Sequence, residues 1–214
     1  MDSINKVKQV AILNAALELF SEHGFHDAPM AQLAESANVG VGTIYRYFKD
    51  KDGLIQSLYN DVDESLQQAI IEGVDSTVST QEQFKKIITN LLCYLHTHPA
   101  VFIFLEQYYH SPFGLEKKRE KRLTEKTSQS SNSFARLLAE SSGKTIKPLP
   151  IPLLHALAFG PVLFLLRDTN AGLVEMNEAV IEMVTDGCWD AIKIEDHLMT
   201  PLDEPTNEPN HIYL

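Results

Sequence analysis

At 214 residues, with 44% apolar and 22% charged side chains, the chain can bury one ordinary core or a small domain joined to a larger one, which excludes a disordered polyelectrolyte. A formal net charge of -11 excludes general affinity for nucleic acid, because an acidic surface repels phosphates at long range. Two cysteines, Cys93 and Cys188, make no disulfide framework, and the N-terminus has no secretory pattern, so the expected location is the cytoplasm, with no membrane partner.

Helical spacing recurs along nearly the whole chain and no strand pattern stands out, which predicts an all-α fold. Val10, Leu13, Ala16, Leu17 and Phe20 fall on one face of a first helix, which His23-Gly24 ends through a glycine cap. A short second helix fits residues 29–37, with Pro29 in its first turn and its cap moved to Asp27. Asn38 tolerates the left-handed backbone of a tight turn, and a third helix follows over about 41–48. Asp50 or Asp52 caps a fourth, whose apolar face includes Leu54, Ile55, Leu58, Val62 and Leu66. After the "GVDSTVST" loop, larger helices are expected over roughly 81–97, 99–110, 115–141, 152–167 and 175–193. The divisions are a head at 5–51, a helical ligand-binding and dimerisation body at 52–196, and a Pro-rich, acidic, poorly ordered tail at 197–214.

Two short helices joined by a tight turn and braced by a longer one make a helix-turn-helix, whose second helix fits the major groove. In "ANVGVGTIYRYFKDKDGL", residues 37–54, Gly42 lets the third helix start close to a sugar-phosphate backbone. Thr43, Tyr45 and Tyr47 carry hydroxyls for phosphates, and Lys51 a charge for one more. Arg46 is suited to a bidentate contact with guanine and Val41 to a thymine methyl. Helix N-termini add attraction without formal charge.

The order "Gly42-Thr43-Ile44-Tyr45-Arg46-Tyr47-Phe48-x-x-Lys51-x-x-Leu54", preceded by "Leu33-Ala34-x-x-Ala37-Asn38-Val39" and by "AALELFSEHGF", resembles the helix-turn-helix of the TetR/AcrR family of transcriptional repressors over about the first quarter of the chain. The resemblance implies a homodimeric, all-helical repressor with a three-helix DNA-binding head, a connecting helix and a ligand-binding body. It implies backbone contacts at Thr43, Tyr45, Tyr47 and Lys51, base-edge positions at Val41, Gly42 and Arg46, and inward packing of Ile44 and Phe48 on Leu17, Phe20 and Leu33. The chain departs from the family pattern at Ala28-Pro29, at Asn38, and at Gly40-Val41, where a Ser-Lys pair is frequent.

In the body, aromatic side chains mixed with a few polar groups suit a hydrophobic or aromatic small-molecule effector: Phe102, Glu106, Tyr109 and Phe113, and farther on Phe134, His155 and Phe159. Glu106, if partly buried, would favour a cationic ligand through its charge and the neighbouring aromatic faces. Plain helical core is the competing explanation for each ring. "CYLHTHP" holds Cys93, His96 and His98, but His96 and His98 point apart on a helix and no second cluster completes a metal site. No nucleophile motif, phosphate loop or paired-carboxylate pattern is present, so neither enzyme activity nor a cofactor is expected. "EKKREKRLTEK" alternates charges as a solvated helix face does.

"IPLLHALAFGPVLFLLRD" is apolar around most of its circumference, and Val180, Met183 and Val184 give the last helix a matching stripe. Leu157, Pro161 and Phe164 with Val180, Met183 and Val184 are the candidate seam of a homodimer, since two heads must meet successive major-groove faces about 34 Å apart. Pro161 is expected to bend its helix at Gly160. The alternative function is a helical small-molecule binder or scaffold with a degenerate DNA-binding head.

Overall fold

Apolar side chains repeating every three to four residues produce helices throughout the computed structural model, which describes residues 2–115 and 133–195. In chain order these are α1 (Asp2–Asp27), α2 (Met30–Ser36), α3 (Val41–Tyr47), α4 (Lys51–Ile71), α5 (Thr80–Thr97), α6 (Pro99–His110), α7 (Ser133–Ser141), α8 (Ile151–Asn170) and α9 (Glu178–Ile192). The only β-pairing among the described residues is two isolated bridges, Ser142 to Ile146 and Ile146 to Lys193. The "EKKREKRLTEK" segment and the tail at 197–214 lie outside the described residues.

Local chemistry sets most helix boundaries. Gly24 sits at φ 75°, a left-handed conformation that breaks the regular run of α1 just after His23. Asn38 holds φ 52° in the turn between α2 and α3, as its tolerance of that region suggested. Asp50 caps α4 by accepting from the Gly53 N–H at 2.7 Å. Ser79 and Glu82 form a reciprocal capping box at α5, and Asn177 caps α9 through the Val180 N–H at 3.0 Å. Two expectations fail here. Asp27 does not cap α2, whose N-cap is Pro29 with no side-chain bond. Val10 is 45% exposed, while Ile12 and Leu19 turn inward, because the first turns of α1 run past the packed part of the head.

One apolar cluster joins head and body. It runs from Ile12, Phe20, Leu33, Ile44 and Phe48 in α1–α3 through Leu54, Leu58 and Tyr59 of α4 to Phe84, Phe104, Phe134, Leu166 and Trp189. Leu17 is half-buried against the same cluster, and Leu66 of α4 is half-buried too. Helix α6 leaves α5 at 103° and packs against α1, so the head rests on the body through α6 as well as through α4. Gln107 of α6 donates to the Ser21 carbonyl of α1 at 3.4 Å. Gly114 follows α6 at a close approach: a Cβ there would run into the Tyr108 carbonyl oxygen, which leaves no room for a side chain. Helix α8 is long and apolar enough to cross a membrane, yet it packs against α5, α7 and α9 and buries Leu154, Ala158, Val162, Leu165 and Leu166 there.

Candidate nucleic-acid interface

The turn between α2 and α3 is closed by backbone bonds from Ala37 N to Leu33 O, Asn38 N to Glu35 O and Val39 N to Ala34 O, at 2.9–3.0 Å. Those bonds fix how α3 leaves α2. Ile44 is fully buried and Phe48 nearly so, which anchors α3 along one side and turns its other side to solvent. On that outer side Val41 is 39% and Tyr45 45% exposed, and Gly42 and Arg46 are exposed as well. A Cβ at Gly42 would meet nothing within 4 Å, so the helix surface is open there to another molecule. Thr43 is half-buried, with its N–H bonded to Gly40 O at 2.8 Å. The Arg46 guanidinium lies 5.4 Å from the Tyr47 ring centroid, a cation–π arrangement that leaves its outer edge available.

Two of the candidate contacts are already engaged within the protein. The Tyr47 hydroxyl donates to Asn5 Oδ1 at 3.0 Å, 42 residues away in sequence. Lys51 points back into the head, where Nζ donates to Ala28 O at 2.8 Å and to His26 O at 3.3 Å, and lies 5.9 Å from the Phe20 ring centroid. Its ammonium thus neutralises carbonyls at the end of α1, and burial holds its pKa below the usual lysine range, against the opposing charges of Asp27 and Asp52. Neither Asn5 nor the inward course of Lys51 has a sequence signal: both contacts join residues more than twenty positions apart.

The seven body candidates do not converge on one place. Phe102 is almost wholly buried, Phe113 is half-buried, and Tyr109 sits near Tyr59 and Tyr108. Tyr59 of α4 stacks on Tyr108 at 4.0 Å and shares a 3.2 Å hydroxyl contact with Tyr109; burial raises the Tyr59 phenol well above its ordinary value, and the Tyr109 phenol, whose residue keeps 37% of its surface exposed, is raised as well. Tyr59 lies one turn from Ile55 and Val62, so its inward position was readable from the helix period. Phe134, His155 and Phe159 form a separate ring cluster between α7 and α8, with Phe134 and Phe159 centroids 4.7 Å apart. Glu106 corrects the cationic-ligand expectation: Arg167 of α8 donates to both its carboxylate oxygens at 2.6–3.0 Å, so the charge is already balanced. Among the described residues no group of three or more His, Cys, Asp or Glu side chains could hold a metal ion.

The seam candidates differ in burial. Leu157, Val180 and Val184 are half-buried against the core, whereas Pro161 is exposed, Phe164 is 65% exposed and Met183 73% exposed. The chain continues as helix through Pro161 to Asn170.

Residues 12–58, which contain this turn and α3, match the family model for bacterial regulatory proteins of the tetR family, and residues 79–193 match the Tetracyclin repressor-like C-terminal domain. The chain is 24% identical over 188 residues to the fatty acid metabolism regulator protein of Bacillus subtilis, covering 84% of this chain and 95% of that one. It is 32% identical over 101 residues to an uncharacterized HTH-type transcriptional regulator of Haemophilus influenzae, covering 47% and 54% of the two chains. Among solved structures, a TetR family transcription regulator from Marinobacter aquaeolei shares the fold with a TM-score of 0.77 at 22% identity, over 91% of this chain and 100% of that one. The second domain's model alone spans more than half the sequence and adjoins a head whose buried Ile44 and Phe48 turn α3 outward; the chain belongs to the TetR family of helix-turn-helix transcription regulators, which are not enzymes.

Proposed function

We propose that the protein is a ligand-responsive repressor acting in the cytoplasm as a homodimer on a pseudo-palindromic operator in double-stranded DNA. The observation that carries this is the outward side of α3, where Val41, Gly42, Tyr45 and Arg46 are solvent-exposed over an anchored Ile44. Val41, Gly42 and Arg46 are the proposed base-edge positions, and Thr43, Tyr45, Tyr47 and Lys51 the backbone positions. Tyr47 would donate to a phosphate only by leaving Asn5 Oδ1, and Lys51 would reach one only by leaving the Ala28 carbonyl. The exposed apolar surface of Met183 and of Phe164, whose ring carries the Arg167 guanidinium 5.4 Å from its centroid, supports with Leu157, Pro161, Val180 and Val184 a seam between two copies built from α8 and α9. A change in the angle of α4 would then alter the spacing of the heads, and a coupling of roughly 1–3 kcal/mol is enough for release.

The effector is proposed to be small and apolar, lodged among the body's rings, with Phe134, His155 and Phe159 the better-grouped lining and Phe102, Tyr109 and Phe113 the other. The balanced Glu106 removes the reason for a cation, and the likeness to a fatty acid metabolism regulator favours an aliphatic chain.

Mobility shifts with the gene's upstream region test the DNA side. An Arg46→Ala/Tyr45→Ala protein, altered only at exposed positions, is expected to lose operator discrimination by about 1–3 kcal/mol for the arginine alone. Unchanged discrimination would remove α3 as the reader. Sodium dodecanoate tests the effector: it should weaken operator binding by roughly 5–150-fold. No change in binding or in melting temperature would reject an acyl-chain effector.

A further inference from the structure

The first turns of α1 have no role in the account above. Residues 5–10 are exposed, with Val7 at 68% and Val10 at 45%, and from residue 5 onward the first fully buried side chain of α1 is Ile12. A helix that outruns its core would ordinarily be free at its end. Here it is tied down, because Asn5 accepts the Tyr47 hydroxyl at 3.0 Å, and Tyr47 is the last residue of α3. The contact sets the α1 N-terminus against the end of the proposed reading helix. Lys6 and Lys8 stand on this stretch, both exposed and, among the described residues, neither in an ion pair. At about 100° per residue they project roughly 100° to one side of Asn5 and 60° to the other, so their long stems straddle the Tyr47 contact. Arg46 and Lys49, also exposed, stand at the same end of α3. In a chain whose net charge is -11, four exposed cations, two from α1 and two from the end of α3, stand around that contact, with Asp50 and Asp52 the exposed acids that follow Lys49 in sequence.

We propose that this turn is a second DNA-backbone contact: Lys6 and Lys8 each neutralise a phosphate on the strand flanking the groove that α3 enters, and Asn5 is the positioning residue that fixes the turn beside α3 while it holds the one Tyr47 hydroxyl proton, so the lysines and not Tyr47 meet the phosphates there. The inference rests on the DNA-binding reading above and adds to it where the positive charge comes from. Phosphate contacts of this kind add affinity and orientation without selecting sequence.

The experiment is the salt dependence of binding to an operator duplex selected from a random library by the wild-type protein, compared for wild type, Lys6→Ala/Lys8→Ala, and a control, Lys86→Ala/Lys144→Ala. The control removes the same charge from exposed positions in the body. Each phosphate contact contributes about 0.9 to the slope of log K against log salt, so four lysines in a dimer should lower its magnitude by about 3.6. The expected result is that loss in the α1 variant alone, with the ratio of operator to random-duplex affinity retained. Asn5→Ala should lose part of the same slope and Asn5→Gln should restore it, a pattern that a mere brace would not give. An unchanged slope in the α1 variant, with wild type still selecting an operator, would reduce the turn to a brace and leave the DNA-binding reading standing. An equal loss in the control would make the effect one of bulk charge and overturn the proposal. If the wild type selects no operator, the DNA-binding reading itself falls and the proposal with it.

Discussion

The head and the body use apolar surface in opposite ways. In α1–α3 the large apolar side chains Ile12, Phe20, Leu33, Ile44 and Phe48 all close on one another, and the side left outside mixes Val41 and Tyr45 with Arg46 and a bare glycine. In α8 and α9 the core is equally complete around Leu154, Leu166 and Trp189, yet Phe164 and Met183 stand in solvent at 65% and 73% exposure. A head whose phenylalanines, leucines and isoleucines are packed away, and whose exposed apolar groups are a few valines, can present hydrogen-bonding groups to a polar partner. A body with apolar groups left over has a reason to meet another apolar surface.

The largest test of that contrast asks whether the two regions are separable. Phe84 is fully buried in the body beside Phe134 and Trp189, at centroid distances of 5.7 and 5.5 Å, and Ile44 is fully buried in the head. Phe84→Ala should cost about 3–5 kcal/mol and Ile44→Ala about 2–5 kcal/mol. Because one cluster joins the regions, both should shift a single urea transition, seen alike by circular dichroism and by the fluorescence of Trp189, the chain's one tryptophan. Separate transitions would make the head an independent unit.

Next in size is the seam. Phe164→Glu together with Met183→Glu places like charges where two copies are proposed to meet, and should weaken dimerisation at least a hundredfold, about 2.7 kcal/mol, in sedimentation experiments. Helical content should remain, since both side chains are exposed in the single chain. A variant that stays dimeric would move the seam elsewhere.

The smallest effects compare one polar tie from each region. Lys51→Met removes a charged donor from two carbonyls in a half-buried place and should cost about 1.5 kcal/mol in urea denaturation. Glu106→Gln breaks a pair whose side chains are 25% and 42% exposed, and should cost less than about 1 kcal/mol, with a smaller difference at high salt. The reverse order would mean that the α6–α8 tie matters more to stability than the brace inside the head.

Much of the fold was readable from local chemistry. Asn38, Asp50 and Gly24 act where their backbone and capping preferences indicate, and the period of α4 marks Leu54, Ile55, Leu58 and Val62 as inward. Where the reading failed, a distant neighbour decided. Val10 has the right spacing for burial but lies beyond the end of the packed head. Lys51 has the exposed-cation pattern of a phosphate ligand but finds the end of α1. Glu106 sits among aromatics in sequence, and Arg167, 61 residues on, takes up its charge.

The sequence by itself determined the helices, the turn before α3 and the side of α3 that faces outward, because those follow from periodicity and from the backbone preferences of a few residues. Only the tertiary structure decided that Asn5 meets Tyr47, that Glu106 is neutralised, and that the body's rings divide into two groups. Each of these depends on where helices far apart in the chain cross, and helical spacing carries no record of that.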